Sequence, residues 1–199
     1  MKEIITQLAV AMQRKLSALP NRLRLFTTEH SELPNALILT GARGSGKSTF
    51  LLYHSNGKRM LYLSADNPKI IGISLYDLVS EIFLLGYEGV IVDEVHFATN
   101  WSLHLKAIYD DFPEKLIWVS DSSSLILRIG EYDLSRRYVM MKMPFMSFRE
   151  FLYLETGKVY LCAVSETRDN LMLWEVTSTD TKTLKVLGDD AFAGVMQQY

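Results

Sequence analysis

The chain has 199 residues and a mass of 22.8 kDa, enough for one sizeable hydrophobic core and a small appendage. Its 21 basic and 23 acidic residues give a net charge of −2 and a pI near 6.1, so bulk charge offers no reason to expect nucleic-acid or membrane binding. The single cysteine, Cys162, excludes a disulfide framework within the chain and suits a reducing cytoplasm. No apolar run reaches the ~20 residues a bilayer span needs, and Lys2 and Glu3 ahead of an interrupted apolar pattern do not read as a signal peptide.

Ile4, Ile5, Leu8, Met12, Leu16 and Leu19 share one face of an opening helix that Pro20 ends; the helix is expected to pack on the core, although its polar face could equally meet a partner. Residues 36–40 form the continuous apolar run of a buried parallel strand. This strand leads into Gly41-Ala42-Arg43-Gly44-Ser45-Gly46-Lys47-Ser48, which fits G-x-x-x-x-G-K-[ST], and a helix follows over 47–54. After the Asn56-Gly57 turn, 59–64 reads as a second strand, and 74–85 as a helix with Ser74 and Asp77 placed as a capping pair. A third strand, Gly89-Val90-Ile91-Val92, ends in the acids Asp93 and Glu94. A helix over 101–110, a fourth strand over 116–119, a helix over 122–129 and a fifth strand over 138–143 come next. Ser147-Phe148-Arg149-Glu150 is a capping box that opens one more helix. Strand and helix alternation of this kind predicts an α/β fold, a parallel sheet covered by helices on both faces.

The glycine-rich segment has the chemistry of a phosphate cradle. A nucleoside triphosphate concentrates negative charge, and a loop running into a helix N-terminus meets it with converging N–H groups and the positive end of the helix dipole. Gly44 and Gly46 allow close backbone approach, Lys47 reaches the β and γ phosphates, and the Ser48 hydroxyl ligates Mg²⁺. Adjacent carboxylates at the end of a buried strand suit the Walker B role. Asp93 then holds Mg²⁺ through its water shell, and Glu94 orients and deprotonates the attacking water. Adjacent Asp93-Glu94 suits water activation better than reception of a substrate hydroxyl, which argues against a small-molecule kinase. The absence of N-K-x-D argues against a GTPase.

Together these segments resemble the P-loop ATPase domain of the AAA+ superfamily, most closely a group of prokaryotic predicted ATPases. That group carries G-x-R-x-x-G-K-[ST], matched with Arg43 in place. It also carries D-E-[IV]-[HQ] followed by Trp, matched by Asp93-Glu94-Val95-His96 and Trp101. Ser120-Asp121-Ser122-Ser123 stands where a small Ser-rich turn follows the fourth strand, with Asp121 in place of the usual Gly. Arg136 and Pro144-Phe145-Met146-Ser147-Phe148-Arg149-Glu150-Phe151 complete the set, and the likeness covers roughly residues 15–155. The resemblance implies a three-layer P-loop NTPase with a parallel five-stranded sheet, to which the residue pattern adds a short C-terminal β-rich tail. It implies ATP and Mg²⁺ as ligands, and nucleotide contacts from the whole 41–48 segment with Thr49 and Ser122 added.

It also implies an arginine finger at Arg136 that acts on a neighbouring subunit of a homo-oligomer, although Arg136 and Arg137 could equally cap a helix or pair with surface acids. His96 reads either as a γ-phosphate sensor or as a hydrogen-bonded histidine at a strand end, and Trp101 as core. Residues 1–157 form the ATPase unit. Beyond them 159–165, 170–177 and 183–187 read as short strands, so 158–199 is an appendage or a truncated end where relatives continue into a lid and a further, often nuclease-like, domain. The expected activity is Mg²⁺-dependent ATP hydrolysis that drives conformational change or assembly. The alternative is a slow-hydrolysing module whose ATP state controls association with a protein or DNA partner.

Overall fold

The computed structural model describes residues 1–122, 134–164, 171–176 and 184–186. The opening helix, α1 (Lys2–Ser17), buries Ile5, Leu8 and Met12, spaced three and four apart so that all three face the same way. It stops short of Pro20, as the missing N–H of proline requires. A short helix, α2 (Leu25–Glu29), has too few residues to show a period and was not among the expected elements.

Five strands, β1 (Ala36–Thr40), β2 (Met60–Ser64), β3 (Gly89–Asp93), β4 (Leu116–Asp121) and β5 (Val139–Lys142), form one sheet in the order β2-β3-β4-β1-β5. Every pairing is parallel. Strands β1, β3 and β4 are central and buried along nearly their whole length, which is why they read as unbroken apolar runs. The helices α4 (Leu75–Leu84) and α5 (Trp101–Asp111) pack together, and Leu78, Val79, Ile82, Leu105 and Ile108 join Ile38, Val90, Val92, Ile117 and Val119 in one core. Helix α3 (Lys47–His54) lies against β3 and β4 with Phe50 and Leu51 fully buried. The alternation of side chains along a strand then gives Leu37, Leu39, Ile91 and Trp118 to the other face of the sheet. This is the three-layer α/β sheet of the P-loop NTPase fold.

Local signals set most boundaries. Ser74 caps α4 by accepting the Asp77 N–H. Strand β4 runs two residues beyond Val119 because Ser120 and Asp121 still pair with Leu39 and Thr40 of β1. Residues expected to open a turn therefore end the strand. The helix expected over 122–129 lies outside the described residues, Ser122 excepted. Among the described residues, no helix is long and apolar enough to cross a membrane.

By internal contacts the chain divides into two compact units, Met1–Pro20 with Glu29–Phe145, and Asn21–Thr28 with Met146–Tyr199. The first holds the five-stranded sheet. In the second, α6 (Phe148–Thr156) opens with the expected capping box: Ser147 Oγ accepts the Glu150 N–H, and the Glu150 carboxylate accepts the Ser147 N–H. Glu150 also takes the Arg24 guanidinium on both oxygens, at 3.1 and 2.8 Å, and the Phe26 N–H at 3.2 Å. Burial pushes this carboxyl up, but Arg24 and the two backbone N–H groups outweigh it and hold the group below the usual carboxylate range. Three further strands, β6 (Tyr160–Val164), β7 (Leu171–Val176) and β8 (Leu184–Val186), form a separate antiparallel sheet, β6-β7-β8. Helix α6, which falls inside the expected 1–157 unit, groups by contacts with this second unit.

Candidate functional site

Parallel pairing brings the C-terminal ends of the central strands to one edge of the sheet, with Thr40 beside Asp121 and Ser64 beside Asp93. In open α/β sheets that edge is where ligands bind. The loop from β1 to α3 lies there. Gly46, the N-cap of α3, has φ of 97° and Gly44 has φ of 76°, left-handed conformations that a Cβ would strain. At Gly41 the limit is space, since a Cβ would sit 2.8 Å from the Met143 carbonyl oxygen. The loop curls over Lys47, which is only 5% exposed and donates to the carbonyls of Gly41 and Ala42 at 2.9 Å each. The Ser45 N–H closes the turn on the Ala42 carbonyl at 3.2 Å. Arg43 is exposed, and Ser48 and Thr49 are half-buried in the first turn of α3.

Asp93 gathers the neighbouring donors. Its Oδ2 accepts Ser48 Oγ at 2.7 Å and the Tyr62 hydroxyl at 2.5 Å, and its Oδ1 accepts Ser120 Oγ at 2.5 Å and the Glu94 N–H at 3.1 Å. Four donors satisfy a carboxylate that is 6% exposed. Burial first, and then the charge of Asp93, raise the Tyr62 phenol above its ordinary range, so Tyr62 serves as a neutral donor.

Glu94 leaves the sheet in a left-handed conformation, φ 50° and ψ 49°, which for a non-glycine residue costs on the order of 1 kcal/mol and turns the chain into the 3₁₀ segment Val95–Phe97. Its Oε2 accepts Ser122 Oγ at 2.7 Å. His96 Nδ1 lies 3.0 Å from Asp121 Oδ2 and 3.6 Å from Glu94 Oε2, and the His96 N–H donates to the same Asp121 oxygen at 3.2 Å. Asp121 is fully buried. The ligating atoms of Glu94, His96 and Asp121 lie within 4.8 Å of one another, a set that could hold a divalent ion once Nδ1 gave up its hydrogen. Ser48 and Asp93 are the oxygen pair suited to a hard cation.

Lys47, Ser48, Asp93, Glu94 and Ser122 thus meet at one edge. Arg136 does not join them. It is exposed in the turn before β5, and because Val139 pairs with Leu37, that turn lies at the N-terminal ends of the strands, opposite the glycine-rich loop. Its neighbour Arg137 pairs with Asp110 at 2.7 and 3.0 Å, and this hydrogen bonding holds the Asp110 carboxyl below the usual range. Trp101 packs against the core. Sequence reasoning missed Tyr62 and Ser120 as partners of Asp93, and the pairing of Asp121 with His96. Tyr62, Ser64, Ile91 and Asp93 share a face once β2 and β3 are in register, so the only available signal was the period of two, unusable until strand order was known.

A family model described as an AAA domain matches residues 33–152. The uncharacterized protein MJ1637 of Methanocaldococcus jannaschii is 39% identical over 132 residues, covering 59% of this chain. The chain spans 28% of the length of that relative. C. elegans PCH-2 aligns in structure with a TM-score of 0.39 and 17% identity, over 73% of this chain and 42% of that one.

Proposed function

Because this chain belongs to the AAA domain family, we propose that it binds ATP with Mg²⁺ through the 41–49 segment, Asp93, Glu94 and Ser122, and hydrolyses the nucleotide to drive conformational change or assembly. One observation carries the reading. The Ser48 hydroxyl lies 2.7 Å from Asp93 Oδ2, one residue along from a lysine buried beneath its own loop.

The residues present fit the ligand. Lys47 is a buried ammonium that lies against two loop carbonyls, ready to exchange them for anionic oxygens. The first-turn N–H groups of α3 have no intrahelical partners and add the positive end of the helix dipole. Ser48 and Asp93 would hold Mg²⁺, which would neutralise the charge that develops on the phosphates. Glu94 orients the attacking water and accepts its proton. Ser122 holds the Glu94 carboxylate and through that bond would follow the state of the nucleotide.

Arg136 supplies a finger in trans. Its position at the far end of the sheet from its own loop favours action on a second subunit, which makes the working form a homo-oligomer. The work performed falls on a protein or DNA partner. ATPase turnover measured with and without Mg²⁺, beside calorimetric titration of Lys47→Ala, tests the reading. The parent hydrolyses ATP only with Mg²⁺, and Lys47→Ala loses binding. A Lys47→Ala protein that binds MgATP as tightly as the parent refutes the site.

A further inference from the structure

Glu94 emerges from β3 through a left-handed residue, so the sheet itself does not dictate the course of residues 94–96. What fixes that course is Asp121. It is fully buried at the end of β4, its own backbone is held beside Thr40, and its Oδ2 accepts two hydrogen bonds from one residue, the main-chain N–H of His96 at 3.2 Å and its ring Nδ1 at 3.0 Å. A carboxylate has no proton to give, so Nδ1 carries the hydrogen of this contact. Two bonds to one buried oxygen lock both the backbone and the ring of His96.

We infer that His96 and Asp121 form a positioning pair that holds the Glu94 carboxylate for water activation, an inference that rests on the ATPase reading of the same site. The Nδ1–H lies between two carboxylates, 3.0 Å from Asp121 and 3.6 Å from Glu94 Oε2, which Ser122 Oγ also engages at 2.7 Å. Among the described residues, the side-chain contacts of Glu94 all fall on Oε2. Oε1 is the oxygen left to meet a water. The attraction from Nδ1–H, beyond hydrogen-bond distance from Glu94, acts with the Ser122 bond to set where that carboxylate rests, and a base misplaced by about 1 Å can lose two orders of magnitude in rate. Asp121 acts only through His96: it orients the ring as carboxylates orient ligating histidines, where loss of the partner costs about 10- to 100-fold.

The test is a series at His96 read by kcat, KM for ATP, MgATP affinity and thermal stability. An asparagine side chain carries its amide nitrogen on Cγ, where histidine carries Nδ1, whereas glutamine places the nitrogen near the Nε2 position. His96→Ala and His96→Gln should therefore lower kcat about 10- to 100-fold with KM and MgATP affinity at parental values, and His96→Asn should recover most of the rate. His96→Ala/Asp121→Ala should lose less than the product of the two single losses, because the ring contact is removed twice and the main-chain bond of residue 96 only once. A parental kcat in His96→Ala, equal rates in the Asn and Gln variants, or losses that multiply in the double variant would each overturn the pair. Where Asp121→Ala fails to fold, the three His96 variants decide alone. Glu94→Gln separates the two layers. If it still hydrolyses ATP, the ATPase assignment of Glu94 fails. If it is inactive while His96→Ala keeps a parental kcat, only the positioning pair fails.

Discussion

Replacing Asp93 with asparagine removes one charge from a buried acceptor with four donors and leaves its volume nearly unchanged. Three hydroxyls and one N–H converge on this carboxylate. Bonds to a charged acceptor contribute about 1.5–3 kcal/mol each, against about 1 for neutral ones, so four weakened bonds would lose roughly 2–8 kcal/mol. The asparagine oxygen still takes Ser120 and the Glu94 N–H, the Ser48 and Tyr62 hydroxyls rotate to accept from its NH₂, and a buried charge no longer has to be desolvated. These gains leave a net cost of about 1–2 kcal/mol, or roughly 2–8 °C in Tm for a chain of this size. Asp93→Ala should be worse, because the Tyr62 and Ser120 hydroxyls, in residues 6% and 0% exposed, lose their acceptor at about 1–3 kcal/mol each. Function should fall much further than stability. Calorimetry of ATP binding with Mg²⁺ and with chelator gives the enhancement due to the metal, and Asp93→Asn should reduce that enhancement about 10- to 100-fold. A variant that loses stability as described but keeps the full Mg²⁺ enhancement refutes the metal role and leaves Asp93 a purely structural acceptor.

Glu94→Gln keeps the shape of the side chain and its bond from Ser122 but cannot accept a proton. MgATP should bind with parental affinity while single-turnover hydrolysis stops, and hydrolysis at the parental rate would remove Glu94 from the mechanism. Arg136→Ala should lower turnover by about 10³ or more without weakening nucleotide binding, parental turnover should rise with protein concentration, and mixing the variant with Lys47→Ala should restore some activity; concentration-independent turnover with an undiminished variant would exclude a finger. Glu150 gives a pH signature. Its carboxyl is held below the usual range in the folded protein, so its contribution is present above the unfolded value near 4.5 and is lost as pH falls through the folded one. Glu150→Gln removes the Glu150 charge from the buried Arg24 guanidinium and should cost about 3 kcal/mol at neutral pH, with a shallower loss of stability under acid. Urea melts of the two proteins at pH 7 and pH 3.5 that differ by a constant amount would contradict this.

Much of this molecule follows from short-range rules. The apolar runs of β1, β3 and β4, the i, i+3, i+4 spacing in α1, the Ser74 cap and the Ser147/Glu150 capping box each involve residues within one or two turns of each other, so a linear reading carries the cause as well as the sign. The glycine-rich loop is legible for the same reason, since its dihedrals and its lysine are local to eight residues. The short helix α2 escaped because five residues hold too little period to detect.

What a linear reading could not supply is partnership across strands. Asp93 could be picked out as an acid at a strand end, but Tyr62 and Ser120 became its donors only when β2, β3 and β4 were laid side by side in register. Asp121, which in sequence was a departure from a small turn, became the buried acceptor that fixes His96, 25 positions away, because its pairing with Thr40 extends β4 to the edge where the 3₁₀ segment begins. The bond from Arg24 to Glu150 spans 126 positions and leaves no trace in either local window. Backbone conformation is decided by neighbours in the chain and is written in it. Which charged and polar groups satisfy one another once they leave water is decided by distances that only the packed sheet creates.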